Sequence, residues 1–167
     1  MTTPEIPPPP TQPHVLRNFG IIVIVSIAVL TSVLALGSYG TGGGGGILPS
    51  PHTVNIVNRL ITVNSLGYEY YPFYVPSGAT DVYVQGSFTA SGGSGNDIEV
   101  LIMDSTEFIN WLNEPQASAY YNSGQVTTSN FNVHLPSGSG TYYLVYSNKF
   151  SSTQKNVLTL AYLSYRR

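Results

Sequence analysis

The sequence has no cysteine, which excludes disulfide bridges, thiolate metal sites and a cysteine nucleophile together. It is also poor in charge. Asp, Glu, Lys and Arg make up 8% of its 167 residues, against roughly 25% in an ordinary soluble domain. A net charge of −2 supplies no basic field for a phosphate backbone, so nucleic acid is not an expected partner. No Asn-x-Ser/Thr sequon occurs, and N-linked glycans therefore do not provide the missing polarity. There are three histidines, no GxSxG, no HExxH and no phosphate-cradling glycine loop between strand and helix. Catalysis needs preorganised donors and a group with a tuned pKa, and no set of residues here converges that way. The chain is instead rich in Tyr (13), Gly (17) and Pro (12), with 42% hydrophobic residues. That balance suits a β-rich extracytoplasmic domain rather than a helical enzyme.

Four parts follow from the order of these residues. Residues 1–18 carry Pro4, Pro7, Pro8, Pro9, Pro10 and Pro13. Proline fixes φ and removes the backbone donor, which predicts an extended, disordered tail. From Phe19 to Tyr39 no charged residue occurs. At ~1.5 Å rise per residue this run spans about 30 Å as a helix, the thickness of a bilayer core. Its β-branched centre, Ile21 to Val25, favours a strand in water, but in lipid every backbone group must bond internally and helix wins. Arg17 precedes the run and the next cation is Arg59, which puts the N-terminus in the cytoplasm and the rest outside. The run therefore reads as a single-pass helix or signal anchor, meeting the lipid bilayer through Phe19 to Leu36. The small residues around Ala35-Leu36-Gly37 leave cleavage and secretion as the alternative. Residues 40–52, with Gly42 to Gly46 and then Pro49 and Pro51, read as a mobile tether. Residues 53–167 are the folded domain.

Within that domain, turn clusters such as Ser91 to Asn96, Asn122 to Gly124 and Pro136 to Gly140 separate strand-like runs. Phe131, Val133 and Leu135 alternate with Asn130, Asn132 and His134, placing His134 on a polar face. Tyr142, Leu144 and Tyr146 alternate likewise with Tyr143, Val145 and Ser147. One set is expected to fill the core and the other to leave wet hydroxyls at the surface. The last run, Asn156 to Tyr165, is apolar on both sides and belongs near the middle of a sheet. One segment has helical spacing: Phe108, Trp111 and Leu112 follow the N-cap candidates Asp104 and Ser105, and Pro115 stops the run. The expectation is an all-β, antiparallel β-sandwich of seven to nine strands with one short helix near Ser105 to Asn113.

The segments SGGSGNDIEV, YNSG, LPSGSGTYYLVYSN and the terminal KNVLTLAYLSY resemble the prokaryotic relatives of the GOLD-type (emp24/p24-related) β-sandwich, over about residues 70–165. The resemblance implies a non-enzymatic interaction module of jelly-roll type. The eukaryotic members are cargo adaptors with a coiled coil and a C-terminal membrane helix. This chain has its apolar run first, so their role in vesicle traffic does not carry over.

Candidate site residues are few. Asp97 and Glu99 share a strand face beside Asn96, with Asp104 and Glu107 at the far end. They could hold a structural calcium ion, which takes 6–8 oxygens, or be a solvated strand start and a helix N-terminus. The binding-surface candidates are Tyr121, Tyr143 and His134. Three functional readings follow. The first is a membrane-anchored extracytoplasmic interaction module, an accessory subunit or adaptor whose partners are other membrane or cell-surface proteins. The second is a subunit of a pilin-like extracellular filament, since an apolar helix ahead of a β-sandwich is also a filament plan. The third is a carbohydrate-binding surface domain using tyrosines and Trp111. With so few charges, edge pairing into a homo-oligomer is open as well.

Overall fold

A computed structural model describes residues 49–113 and 117–167. The proline-rich segment, the apolar run and Gly42 to Gly46 lie outside the described residues, as does Pro115. Among the described residues no helix is long and apolar enough to cross a membrane.

Eight strands and one helix follow in the order β1 (Pro51–Val63), β2 (Tyr68–Val75), β3 (Thr80–Ser91), β4 (Ile98–Asp104), α1 (Ser105–Asn113), β5 (Tyr121–Val126), β6 (Thr128–His134), β7 (Gly140–Ser147) and β8 (Lys155–Arg166). They form two four-stranded sheets, β1-β8-β3-β6 (sheet A) and β2-β7-β4-β5 (sheet B). Every pairing is antiparallel. β1 pairs with β8, β2 with β7, β3 with β6 and β4 with β5, so the chain is one long hairpin wound across two sheets. The pairs β3–β8 and β4–β7 close each sheet. This is the jelly-roll plan of an antiparallel sandwich.

Period-two alternation decides which side chains meet between the sheets. Val84, Phe88, Ala161 and Leu163 of sheet A face Ile98, Val100, Ile102 and Leu144 of sheet B in one continuous core. Fully burying each large apolar side chain contributes about 1.5–3 kcal/mol. Tyr146 is wholly buried in that core. Its hydroxyl meets Thr159 Oγ1 of the opposite sheet, and Thr159 in turn donates to the Ser87 carbonyl at 3.3 Å. Tyr146 is therefore the donor to Thr159, and burial pushes its phenol well above the ordinary range. At Gly86 a Cβ would run into the Leu160 carbonyl and the Phe131 ring, so this glycine gives the β6 aromatic its place over β3.

Several local expectations change. β1 starts at Pro51, inside the segment read as tether, and His52 stacks on Tyr165 with ring centroids 5.1 Å apart. Asn122 to Gly124 form no turn. They lie within β5, where Ser123 and Gly124 separate Asn122 from Gln125 while Val100 alone separates their partners Leu101 and Glu99, so β5 carries one extra residue. The result is a bulge, with Gly124 at φ 62°. Ser123 Oγ accepts the Val100 N–H at 2.8 Å, so the ladder gap is closed by a side chain. Asp104 Oδ1 accepts the Glu107 N–H at 2.9 Å and caps α1 as its sequence suggests. Phe108 and Trp111 are buried as expected, whereas Leu112 is 40% exposed. β8 does lie in the interior of its sheet, but its second face, with Leu158 and Leu160, is open.

Candidate binding surface

The two outer faces of the sandwich have different fates. On sheet B, α1 lies over Leu101, Met103 and Val145, and Phe108 and Trp111 complete a second apolar cluster flanked by Tyr68 and Tyr143. Tyr143 stacks on Phe108 at 4.1 Å between centroids. Lys149 Nζ sits 3.7 Å from the centre of the Trp111 ring and 3.5 Å from its carbonyl oxygen, a cation–π contact that covers this aromatic surface. The expected wet set on β7 is thus under a helix, because the α1 insertion returns across β4 and β7. Trp111 is consequently unavailable as a flat stacking platform.

Sheet A has no such cover among the described residues. Its outer face is laid out by the register of four strands. Leu60, Leu158, Thr89 and Thr128 form one row, and Asn58, Leu160, Ser87 and Asn130 the next. Tyr162, Gln85 and Asn132 follow, and then Ser164, Tyr83 and His134. Gln85 Nε2 donates to Asn132 Oδ1 at 3.1 Å, the Thr89 and Thr128 hydroxyls lie 3.2 Å apart, and Tyr83 and His134 rings meet at 5.0 Å.

No charged side chain points out of the middle of this face. The strands of sheet A contain Arg59, Asp81, Lys155 and Arg166. Arg59 bends toward sheet B, where its guanidinium donates to the Tyr71 hydroxyl at 3.2 Å. Lys155 points inward, and Arg166 pairs with Asp81 at 3.5 Å at the far end. What remains is a lattice of amides, hydroxyls and ring edges, with a leucine strip on the β1–β8 side.

The sequence-derived candidates fall in three places. His134 is exposed on this open face. Tyr143 is half-buried beneath α1, and Tyr121 bridges the sandwich edge, its hydroxyl 3.2 Å from Ser129 Oγ and its ring 5.3 Å from Phe131. Asp97 and Glu99 do not converge. The Asp97 carboxylate accepts from Lys155 Nζ at 2.8 Å, while Glu99 accepts from Asn122 Nδ2 at 3.1 Å. Among the described residues no group of three or more His, Cys, Asp or Glu is placed to hold a metal ion.

Lys155 was not visible as a partner in the sequence. Its ammonium enters the Ser91–Asn96 loop, donates to the Gly92 carbonyl at 2.9 Å, and holds the Asp97 carboxyl below its ordinary pKa by the hydrogen bond it donates to that carboxylate. Gly92 and Gly93 have φ of 112° and 71°, which lets the loop wrap the ammonium. Tyr83, Gln85 and Tyr162 were also missed. The alternation of Tyr83, Gln85 and Ser87 with Val82, Val84 and Gly86 is visible in the sequence, but it does not say which strands lie alongside.

No family model and no curated protein sequence matches the chain. A solved structure similar to it is the CBM36-1 domain of a multidomain xylanase from the hindgut metagenome of Trinervitermes trinervoides, at 12% identity and a TM-score of 0.38. That match covers 70% of this chain and 96% of the other.

Proposed function

We propose that this chain is a non-enzymatic, membrane-anchored extracytoplasmic interaction module that holds its partners through the outer face of sheet A. One observation carries the reading: four strands present a broad face of amides, hydroxyls and aromatic edges from whose middle every charge is turned away. Such a face gains contact by hydrogen bonding and shape, without the desolvation cost of charged groups. A non-catalytic role agrees with how the described carboxylates are used. Asp97 holds Lys155, Asp104 caps α1, and Glu107 accepts the Ser118 N–H at 2.8 Å to fix the return from the helix. The GOLD-type kinship and the anchoring helix over Phe19 to Leu36 belong to the same proposal, with an accessory subunit or adaptor of a membrane or cell-surface complex as the role.

The test is a pull-down of the full chain from detergent-solubilised membranes, alongside a Gln85→Lys/Asn130→Lys variant that puts charge in the middle of the face. The expected outcome is a co-purifying partner, retained at high salt by the wild type and lost by the variant, because a contact without ion pairs has little for salt to screen. A partner released by salt, or one held equally by the variant, overturns the assignment.

A second reading, a carbohydrate-binding surface domain, is favoured by the adjacent rows that bring Tyr162, Gln85, Asn132, Tyr83 and His134 together. Planar rings beside fixed amides suit uncharged polyhydroxyl ligands. Depletion of the chain by insoluble neutral polysaccharides, abolished in the same variant, distinguishes it from the adaptor reading.

A further inference from the structure

The four sheet edges are not equally protected. An edge strand exposes a row of unpaired N–H and C=O groups, and proteins blunt it with prolines, bulges, inward charges or brevity. The β2 edge carries Pro72 in mid-strand, β5 is six residues long and bulged at Ser123 and Gly124, and β6 is seven residues long with polar outward side chains. β1 is thirteen residues long. Its own bulge at Ile56 leaves Asn58 to Val63 in unbroken register with β8. The one charge in that stretch, Arg59, leans away to Tyr71 of sheet B, with its guanidinium carbon 5.5 Å from the ring centre.

The same stretch carries the apolar part of the open face. Leu60 is 63% exposed, and beside it Leu158 and Leu160 are 45% and 36% exposed. Leu60 and Leu158 are register partners, so the strip runs straight to an edge that is unpaired among the described residues.

We infer that the β1 edge is a self-association site, at which Asn58 to Val63 pairs antiparallel with the same stretch of a second copy. A two-fold axis near Leu60 brings Leu158, Leu60 and their two counterparts into one row across the joint and joins the two A sheets into a single eight-stranded face. The occupant is a second copy because the arrangement is self-complementary. Each copy supplies an open edge and an outward leucine, and the one charge of the stretch, Arg59, is drawn off the edge onto the Tyr71 hydroxyl and ring. A net charge of −2 on 167 residues offers little mutual repulsion. The contact is isologous and closes at two, giving a dimer rather than a filament.

Because the chain has no cysteine, single introduced thiols read this geometry directly. Asn58→Cys, Leu60→Cys and Thr62→Cys are made one at a time in the full chain, with Leu158→Cys and Asn130→Cys as controls inside the face and on the β6 edge. Under mild oxidation, disulfide-linked dimer is expected to form several-fold faster at one of the three β1 positions than at either control, since directly opposed residues of an antiparallel pair lie within bridging distance. Sedimentation of the full chain should show a dimer that Leu60→Lys converts to monomer with its thermal transition retained. Equal rates at all five positions, faster linkage at Leu158→Cys (face-to-face packing), or a dimer that survives Leu60→Lys each overturns the edge assignment. Leu60 stands at the rim of the same face, two rows from Gln85, so a Leu60→Lys chain that is monomeric yet still captures its partner separates this inference from the proposed function.

Discussion

The outer faces of sheets A and B start from similar material and end differently. Both carry outward tyrosines, yet sheet B lays α1 over Leu101, Met103, Val145 and Tyr143, leaving Tyr70 and Tyr74 of β2 exposed, and sheet A has no such cover among the described residues. The difference lies in one connection. Between β4 and β5 the chain inserts nine residues of helix, capped by Asp104, and Phe108 and Trp111 give that helix an apolar side to lay on Leu101, Met103 and Val145. Among the described residues no comparable insertion reaches sheet A. Aromatic residues on an outer face therefore become core or surface according to what the neighbouring loop carries.

The largest effect is expected from removing the cover. Trp111→Ala takes away the centre of the α1 contact and should cost about 3–5 kcal/mol, the range for truncating a buried aromatic. Urea denaturation of the full chain measures it, and the variant should expose a new apolar patch that binds a hydrophobic dye. A stability change below about 1 kcal/mol, the scale of an ordinary point mutation, would mean that α1 rests on sheet B without holding it.

The end of the sandwich shared by both sheets supplies the next effect. Asp97→Asn leaves the Lys155 ammonium, 2% exposed, with neutral acceptors and no counter-charge, and breaking a buried pair in this way costs about 3 kcal/mol. Lys155→Met should cost less, because the Asp97 side chain is 25% exposed and water can take over. The folded-state pKa of Asp97 lies below its unfolded value. Its contribution to stability is therefore full above the ordinary carboxylate range and is lost as pH falls through the folded value. Denaturation midpoints measured from neutral pH into the acid range should converge for wild type and Asp97→Asn. A gap that stays constant with pH would show that the pair does not supply it.

The smallest effect sharpens the comparison most. Gln85→Ala, on the open face, should change stability by less than about 0.5 kcal/mol, as surface substitutions do. Tyr143→Ser, under α1, should destabilise measurably because it removes the ring stacked on Phe108. Calorimetric transitions of the two variants check the ordering. Equal losses would mean that the two outer faces are not as different as their coverage implies.

Much of this molecule is written locally. Composition excludes thiol chemistry, the turn clusters and period-two runs mark most of the strands, and the Asp104 cap with Phe108 and Trp111 marks α1 to the residue. These are properties of short stretches, set by backbone sterics, capping and alternation. Parity along a strand separates two faces but does not say what covers either. Tyr143 and Tyr83 stand in equally regular alternations, and only the α1 insertion stacks Phe108 on the first and leaves the second beside His134 on the open face. The Asn122-Ser123-Gly124 stretch has turn composition, and only pairing with β4 makes it a bulge. Lys155 lies 58 residues from Asp97, and only the winding of the hairpin brings them together. Such relations depend on which distant strands become neighbours. In a jelly roll nearly every pairing is long-range, so the open face, the covered face and the exposed β1 edge were decided by the tertiary structure.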